Sequence, residues 1–363
     1  MSLSAELAER IGRNGPITFA SFMEAALYDP EEGFYVRPPI GEAGHFVTSP
    51  HVSPAFADLL ARQVAECWDH LGRPETFTVV EVGAGDGTLA RGILTAVRGL
   101  DGLGSALRYV AVERTPGQRA ALEEQVETAE ALEGVEPFTG CVLANEVLDN
   151  LPFHRLRGRD GRVVEVLVGV DGDRLVEMEG EPAPEAAAVV THPPADGQER
   201  PASPAAVRLV EAVGSKLARG YSFFFDYGFA EGVSPGPVHA YRDHRVLEDV
   251  LADPGSRDIT AAVDFDAVLA AGRGVGLQAW GPVPQREALL ALGYRLWASG
   301  VRARQAEAEA EGDWRRANRL FQARSRASIL IDEQKLGGLW LAALATEGLP
   351  PPAAVLGDRE TGC

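Results

Sequence analysis

Four groups of side chains in this sequence have the types and spacing to do chemistry. The first lies in residues 79–94, VVEVGAGDGTLARGIL, where an apolar run ends at Glu81 and Val82 and three glycines follow at alternate positions, Gly83, Gly85 and Gly87. Glycines directly after a buried strand let the backbone turn tightly and let a ligand approach the chain, while the next helix directs its first N–H groups at that ligand. The second is Glu113, at the end of the apolar run RYVAVE, where a carboxylate can accept hydrogen bonds from two ribose hydroxyls. The third is VLANEVLDNLP, which sets Asn145, Glu146, Asp149 and Asn150 at the end of another apolar run. The fourth is scattered: His45 and His51 precede the glycines, and Asp226, Tyr227, His244, Asp258, Thr260 and Asp264 follow them. Imidazoles act as bases near neutral pH, and carboxylates orient cations.

Two cofactor classes use such a glycine turn. Counted from Gly83, GAGDGT puts Thr88 where a dinucleotide fingerprint requires its third glycine. Counted from Gly85, GDGTLA satisfies G-x-G-x-x-A, but the tight-turn glycine then falls two residues past the strand. The spacing E-x-G-x-G-x-G, from Glu81 to Gly87, is the better match, and it is that of the S-adenosylmethionine loop of methyltransferases. Methyl transfer needs the acceptor's lone pair in line with a sulfonium methyl, so its catalysis is mostly positioning by fixed hydrogen-bonding groups. On this reading Glu81, Gly83, Gly85, Gly87, Glu113 and Asn145 hold the cofactor, with Glu113 on the ribose. Glu146 and Asp149 serve the acceptor, and Asp226 and Tyr227, at the end of YSFFFDYG, line its pocket. A nicotinamide site and a purely structural turn are the alternatives at this point, and Glu130 to Leu132 is the nearest candidate for the adenine.

These groups need a scaffold that brings strand ends together. From Phe77 onward short apolar runs alternate with helical patterns: FTVVEV, RYVAVE, QVETA, GCVLAN, YSFFFDYG, GLQAWGP and RASILID. Runs apolar at nearly every position belong to strands buried on both faces, hence to a doubly wound, mostly parallel sheet. Before them, Phe56, Leu59, Leu60, Val64 and Trp68 recur at helical spacing. About 75 residues separate GCVLAN from YSFFFDYG, far more than one crossover needs. Within them FHRLRG, RVVEVLVGV and RLVEME, split by RDG and DGD, predict hairpins, followed by a helix from Ser203 to about Ala218. The expected organisation is an N-terminal helical region (1–75), a Rossmann-like core (76–152 and 219–345), an inserted α+β cap (153–218) and a C-terminal tail (346–363).

The 363 residues carry a formal charge of −19, which excludes a general nucleic-acid binder. The basic segment RRANRLFQARSR reads as a solvated helix with paired charges. No apolar run is long enough to span a membrane, and the N-terminus lacks the order of a secretory signal, so cytoplasmic residence is expected. Cys67, Cys141 and Cys363 are too scattered for a disulfide framework or a metal site.

Taken together, the blocks GPITFASFMEAALYDPEEGFYV, GHFVTSP, VVEVGAGDGTL, VAVERTP, LANEVLDNLPFH, FFFDYG and YRDHRVLEDVLADPGSRDITAAVDF resemble, in order, those of the MidA-like methyltransferases, the family that includes the mitochondrial arginine methyltransferase of complex I assembly. The resemblance runs from about Gly15 to Leu344. It implies a class I methyltransferase fold, S-adenosyl-L-methionine as donor, a nitrogen or oxygen acceptor such as a protein arginine, and, from the last block, His244 and Asp258 in the acceptor pocket. This chain departs from the family pattern at His45 and His51, where the family usually carries acids. Carboxylates suit a guanidinium, whereas histidine suits a hydroxyl or other weakly acidic acceptor. That makes a small-molecule O- or N-methyltransferase, with His45 or His51 as base, the alternative; a non-catalytic assembly factor that keeps the fold is a further one. The sequence leaves the oligomeric state open, a homodimer included.

Overall fold

The structure, a computed structural model, describes residues 2–36, 48–242, 245–247 and 249–357. The chain divides by its contacts into two compact units, one formed by Met1–Phe46, Glu146–Ala212 and Asp226–Ala271, the other by Val47–Asn145, Val213–Phe225 and Gly272–Cys363. The sequence reading set its first boundary at residue 75; the contact boundary falls at 46. The helix Ala55–His70 buries Phe56, Leu59, Leu60, Val64 and Trp68 in the same core as the sheet residues Phe77, Val79 and Phe223, and so belongs with them.

The second unit is built on seven strands, numbered here β1 (Phe77–Val82), β2 (Leu107–Val112), β3 (Glu127–Ala129), β4 (Phe138–Asn145), β5 (Leu217–Asp226), β6 (Gln278–Pro284) and β7 (Trp340–Ala345). Their order in the sheet is β6-β7-β5-β4-β1-β2-β3. The pairs from β5 through β3 are parallel, and β6 runs antiparallel to β7. Every residue of β1 is buried, as a strand covered on both faces requires. The strand order reverses between β1 and β4, and open α/β sheets bind ligands at the carboxyl ends of the strands beside such a reversal. A dinucleotide fold would set its sixth strand beside the fifth. Here the last strand, β7, stands between them, which is the order of a class I methyltransferase.

Seven strands were expected in this sheet and seven are present, but one of them is elsewhere. RASILID is not a strand: the helix Trp314–Ala327 runs into it, and Ser328–Ile331 forms a 3-10 turn whose Leu330 is buried. The strand is WLAALA, whose leucines and alanines favour a helix intrinsically. Burial decides against propensity there, since Leu341 to Ala345 have no exposed surface between β5 and β6.

The first unit carries a five-stranded antiparallel sheet, Ile17–Thr18, His154–Arg159, Arg162–Asp171, Arg174–Gly180 and Glu199–Ala202. The expected hairpins are there. Asp160 and Gly161, with φ of 51° and 72°, make the two-residue turn between Arg159 and Arg162, which pair directly. On one face Arg155, Arg157 and Arg159 form a ladder with Glu177, Glu179 and Glu199. The expected helix after this sheet spans Pro204–Lys216. Helices Leu3–Asn14 and Phe19–Tyr28 set Leu7, Phe19, Phe22 and Met23 into one core with Phe153 and Val168.

A row of close backbone contacts crosses the middle of the large sheet. Thr78, Gly140 and Gly220 are register neighbours on β1, β4 and β5. A Cβ on Gly140 would run into the Thr78 carbonyl oxygen, and one on Gly220 into that of Gly140. Backbone cannot yield here as a side-chain tip can. Gly140→Ala is therefore expected to lower the urea unfolding midpoint by an amount worth about 3 kcal/mol or more, the range of severe single substitutions. A variant that unfolds with the wild-type midpoint would show that the strands can separate at no cost.

Candidate functional site: a cofactor loop and a buried acid cluster

In the second unit, β1 ends in a loop with Gly83, Gly85 and Gly87 at φ of 70°, 56° and 76°, after which the helix Thr88–Val97 begins. Left-handed backbone at three alternate positions favours glycine, which has no Cβ to strain there. A Cβ on Gly87 would also meet the side chain of Leu122. Two carboxylates brace this loop. Buried Glu113, the residue after β2, accepts the Gly85 N–H at 3.0 Å through one oxygen and the Thr115 N–H at 2.8 Å through the other. Asp86, at the loop apex, accepts the Thr88 N–H at 2.9 Å, and its backbone carbonyl accepts Arg91 Nη1 at 2.7 Å.

Glu81 is buried inside the sheet and accepts the Tyr109 hydroxyl at 2.7 Å. Burial pushes its carboxyl up to about 8, against the lowering effect of that hydrogen bond. Asn145 is the last residue of β4 and pairs in register with Phe225. Glu130 to Leu132 follow β3 directly, with Glu130 paired to Arg119 and Leu132 buried.

S-adenosyl-L-methionine fits these residues. Glycine at three alternate positions lets a ligand approach the loop backbone and the first N–H groups of the following helix. Each oxygen of Glu113 accepts one backbone N–H and has a second lone pair, so the pair of oxygens can still meet two vicinal hydroxyls.

His51 lies in the same unit, on the short helix Ser49–Val52, where it contacts the loop through Asp86. His45 and His244 lie outside the described residues.

In the first unit the expected acceptor residues gather. Asp226 takes four backbone N–H groups: those of Val147, Leu148 and Asp149 on Oδ2 and that of Tyr227 on Oδ1. It thus shapes the turn that carries Asp149. Asp258 accepts the Tyr35 hydroxyl at 3.1 Å and the Asn150 amide at 3.1 and 3.2 Å. Tyr28 donates to the Asn150 carbonyl at 3.0 Å and stacks on Tyr35. Asp149 is 8% exposed, and its Oδ1 is buried with no hydrogen-bond partner. Burial, then the neighbouring charges of Asp226, Asp258 and Glu146, push its carboxyl well above the usual range. Burial likewise raises Asp226 to about 7, helped by Glu146 and opposed by backbone N–H groups, and raises Asp258 to about 7, opposed by Tyr35 and Asn150. Tyr227 is 46% exposed beside this cluster. Thr260 ends the strand Asp258–Thr260, while Asp264 caps the helix Phe265–Gly274 by accepting the N–H groups of Asp266 and Ala267.

Glu146 has φ of 54°, in the left-handed region. A non-glycine residue held there costs about 1–3 kcal/mol, and such strain gathers at functional sites. Tyr28, Tyr35 and Tyr109 were not among the expected site residues. Tyr28 and Tyr35 frame the turn DPEEGF, and an aromatic pair flanking an acidic turn was the signal available for them.

The strand order, the glycine loop and its carboxylate braces define a class I S-adenosylmethionine-dependent methyltransferase. Comparison with known proteins agrees. Residues 59–283 match the family described as "Putative S-adenosyl-L-methionine-dependent methyltransferase". The chain is 30% identical over 322 residues to the Drosophila melanogaster protein arginine methyltransferase NDUFAF7 homolog, mitochondrial, covering 78% of this chain and 73% of that protein. It is 29% identical over 327 residues to the human protein arginine methyltransferase NDUFAF7, mitochondrial, covering 79% and 72%. It also superposes, with a TM-score of 0.84 and 32% identity over 99% of this chain and 95% of the other, on a Burkholderia thailandensis protein described as a "likely methyl transferase" and solved with S-adenosyl-homocysteine bound. The chain belongs to the MidA-like methyltransferase family and is an enzyme that uses S-adenosyl-L-methionine.

Two outcomes follow from the loop and the strained residue. Gly85→Val places a β-branched side chain at φ of 56° beside the strand end, and is expected to reduce S-adenosylhomocysteine affinity more than about tenfold in calorimetry while circular dichroism stays that of a folded protein. Unchanged affinity would remove the loop from the cofactor site. Glu146→Gly relieves the strain but removes the carboxylate; it is expected to melt no lower than Glu146→Gln and to turn over at least about tenfold more slowly than wild type. Full activity in the glycine variant would deny the carboxylate a part in the reaction.

Proposed function

We propose that the enzyme methylates a cationic nitrogen, the side chain of an arginine in a partner protein. The observation that carries this reading is the buried Asp149 Oδ1 without a partner, set among Asp226, Asp258 and Glu146. Buried acids crowded in this way repel one another when ionised, and a guanidinium placed among them offers both the missing donor and the compensating charge. The names of the animal relatives support the same acceptor.

The donor supplies an electrophilic methyl on a sulfonium. The residues of this chain supply position and a place for a proton. Glu146 and Asp149 orient the guanidinium so that one nitrogen presents its lone pair, and Asp149, held ionised by the cation beside it, takes at Oδ1 the proton that this nitrogen loses as the new N–C bond replaces the methyl–sulfur bond and a neutral thioether is left. Asp226 fixes Asp149 through the backbone, and Asp258, held by Tyr35 and Asn150, adds negative charge. The small-molecule alternative drew on two histidines. His45 lies outside the described residues, and both ring nitrogens of His51 are engaged, by Thr48 and by Asp86. Cytoplasmic residence belongs to this proposal; the animal relatives are named as mitochondrial proteins.

Two measurements test it. Wild type is expected to methylate arginine in a peptide or protein acceptor, and Asp149→Asn to lower kcat/KM at least about tenfold with cofactor affinity within about threefold. Methylation confined to neutral small molecules would sink the proposal. The second is the pH dependence. A cation favours the ionised form of a cluster in which burial holds Asp149 above the usual carboxylate range and Asp226 and Asp258 at about 7, so acceptor KM is expected to fall as pH rises from about 6 to 8. The sign for stability is opposite: acids with raised midpoints stabilise the acceptor-free fold below their unfolded value of about 4, and that stabilisation is lost as pH rises through about 7. A KM that is flat across this interval would show that the acids are not what binds the acceptor.

A further inference from the structure

The short helix Ser49–Val52 presents one imidazole to the apex of the cofactor loop. Thr48 Oγ1 lies 2.8 Å from His51 Nδ1, and His51 Nε2 lies 3.1 Å from Asp86 Oδ2. The carboxylate fixes the direction of both bonds. Burial tends to raise Asp86, but the hydrogen bonds from His51 and Thr88 outweigh it and hold the carboxyl well below the usual range, so Asp86 is an anion that can only accept. Nε2 must therefore carry a proton. In the neutral ring Nδ1 then has the lone pair, and the Thr48 hydroxyl donates to it. No lone pair of His51 is left for a substrate proton.

Asp86 itself is the one side chain between two left-handed glycines, Gly85 and Gly87. Its second oxygen holds the Thr88 N–H, the first turn of the following helix, and Arg91 lies 3.9 Å away on that helix. A loop made of glycines loses more backbone freedom on ordering than any other, so its geometry depends on what ties it down. His51 is 11% exposed at its side chain and brings a tether from outside the loop's own strand and helix.

From this juxtaposition we infer that His51 is a positioning residue for the cofactor loop, acting through Asp86 with Thr48 orienting its ring, and not a base toward the acceptor. The inference is independent of the acceptor's identity, because every contact it uses lies on the cofactor side. Its energetic role is preorganisation: the loop is held in its binding conformation before the cofactor arrives, which removes an ordering cost from binding.

A double-mutant cycle on the full-length enzyme separates the two roles. His51→Ala is expected to weaken S-adenosylhomocysteine by about tenfold in calorimetry, with kcat at saturating S-adenosylmethionine within about twofold of wild type. Asp86→Asn should give a similar loss, and the double variant no more than either alone, since the two act through one contact. His51→Gln, whose amide N–H can reach the same carboxylate, should recover most of the affinity, and it serves as the probe if the alanine variant fails to fold. A fall in kcat with cofactor affinity unchanged would overturn the inference in favour of a base, and so would additive losses in the double variant. Failure of arginine methylation with the cycle intact would strike the acceptor proposal and leave this one standing.

Discussion

The structure depends on the reversal of the chain between β1 and the helix Thr88–Val97. Within a few residues the backbone must leave a strand buried on both faces and enter a helix that packs back on the sheet, and it does so through alternate left-handed residues. That geometry favours glycine at three positions, which lets a ligand approach the backbone there. It also leaves the loop with little of its own to hold it. The braces come from elsewhere in the second unit: Glu113 from the end of β2, Arg91 from the following helix, and His51 from Ser49–Val52. The close approach that glycine allows a cofactor and the need for external bracing have one origin.

Three carboxylates show how the surroundings assign different work to one chemical group. Glu113 meets two backbone N–H groups and anchors the loop end. Asp226 is fully buried yet meets four N–H groups, so it organises a turn. Asp149 is nearly as buried and has an oxygen with no donor at all. Asp226, with its four donors, is architecture, whereas Asp149, with an oxygen lacking one, is a demand on a ligand. Composition cannot distinguish these cases, because the difference lies in where the backbone amides point.

The sequence carried the sheet through its apolar runs and the cofactor loop through its glycine spacing, because both are local patterns. It misplaced the last strand because WLAALA is written in helix-forming residues and only its neighbours make it a strand. Among the site residues, Glu146, Asp149 and Asp258 were legible as polar groups at apolar strand ends or within a family block. The pairing of Asp258 with Tyr35 was not, since 223 residues separate them. His51 was legible as a chemical group but not as a contact. Asp86 occupied a motif position that any residue can fill, so nothing local marked it as the partner.

The arginine and glutamate ladder of the smaller sheet has a consequence for how that sheet finds its alignment. Arg155, Arg157 and Arg159 alternate along one strand, so all three share a face with Glu177, Glu179 and Glu199, while Leu156 turns to the other and packs with Ala186 and Ala202. Side chains repeat every two residues along a strand, so a slip of one residue would exchange the faces. Three guanidinium groups would then enter an apolar layer and three carboxylates would lose their partners at once. Exposed ion pairs add little to stability taken singly. Arrayed in this way they act together as a proofreading device against any pairing shifted by one residue.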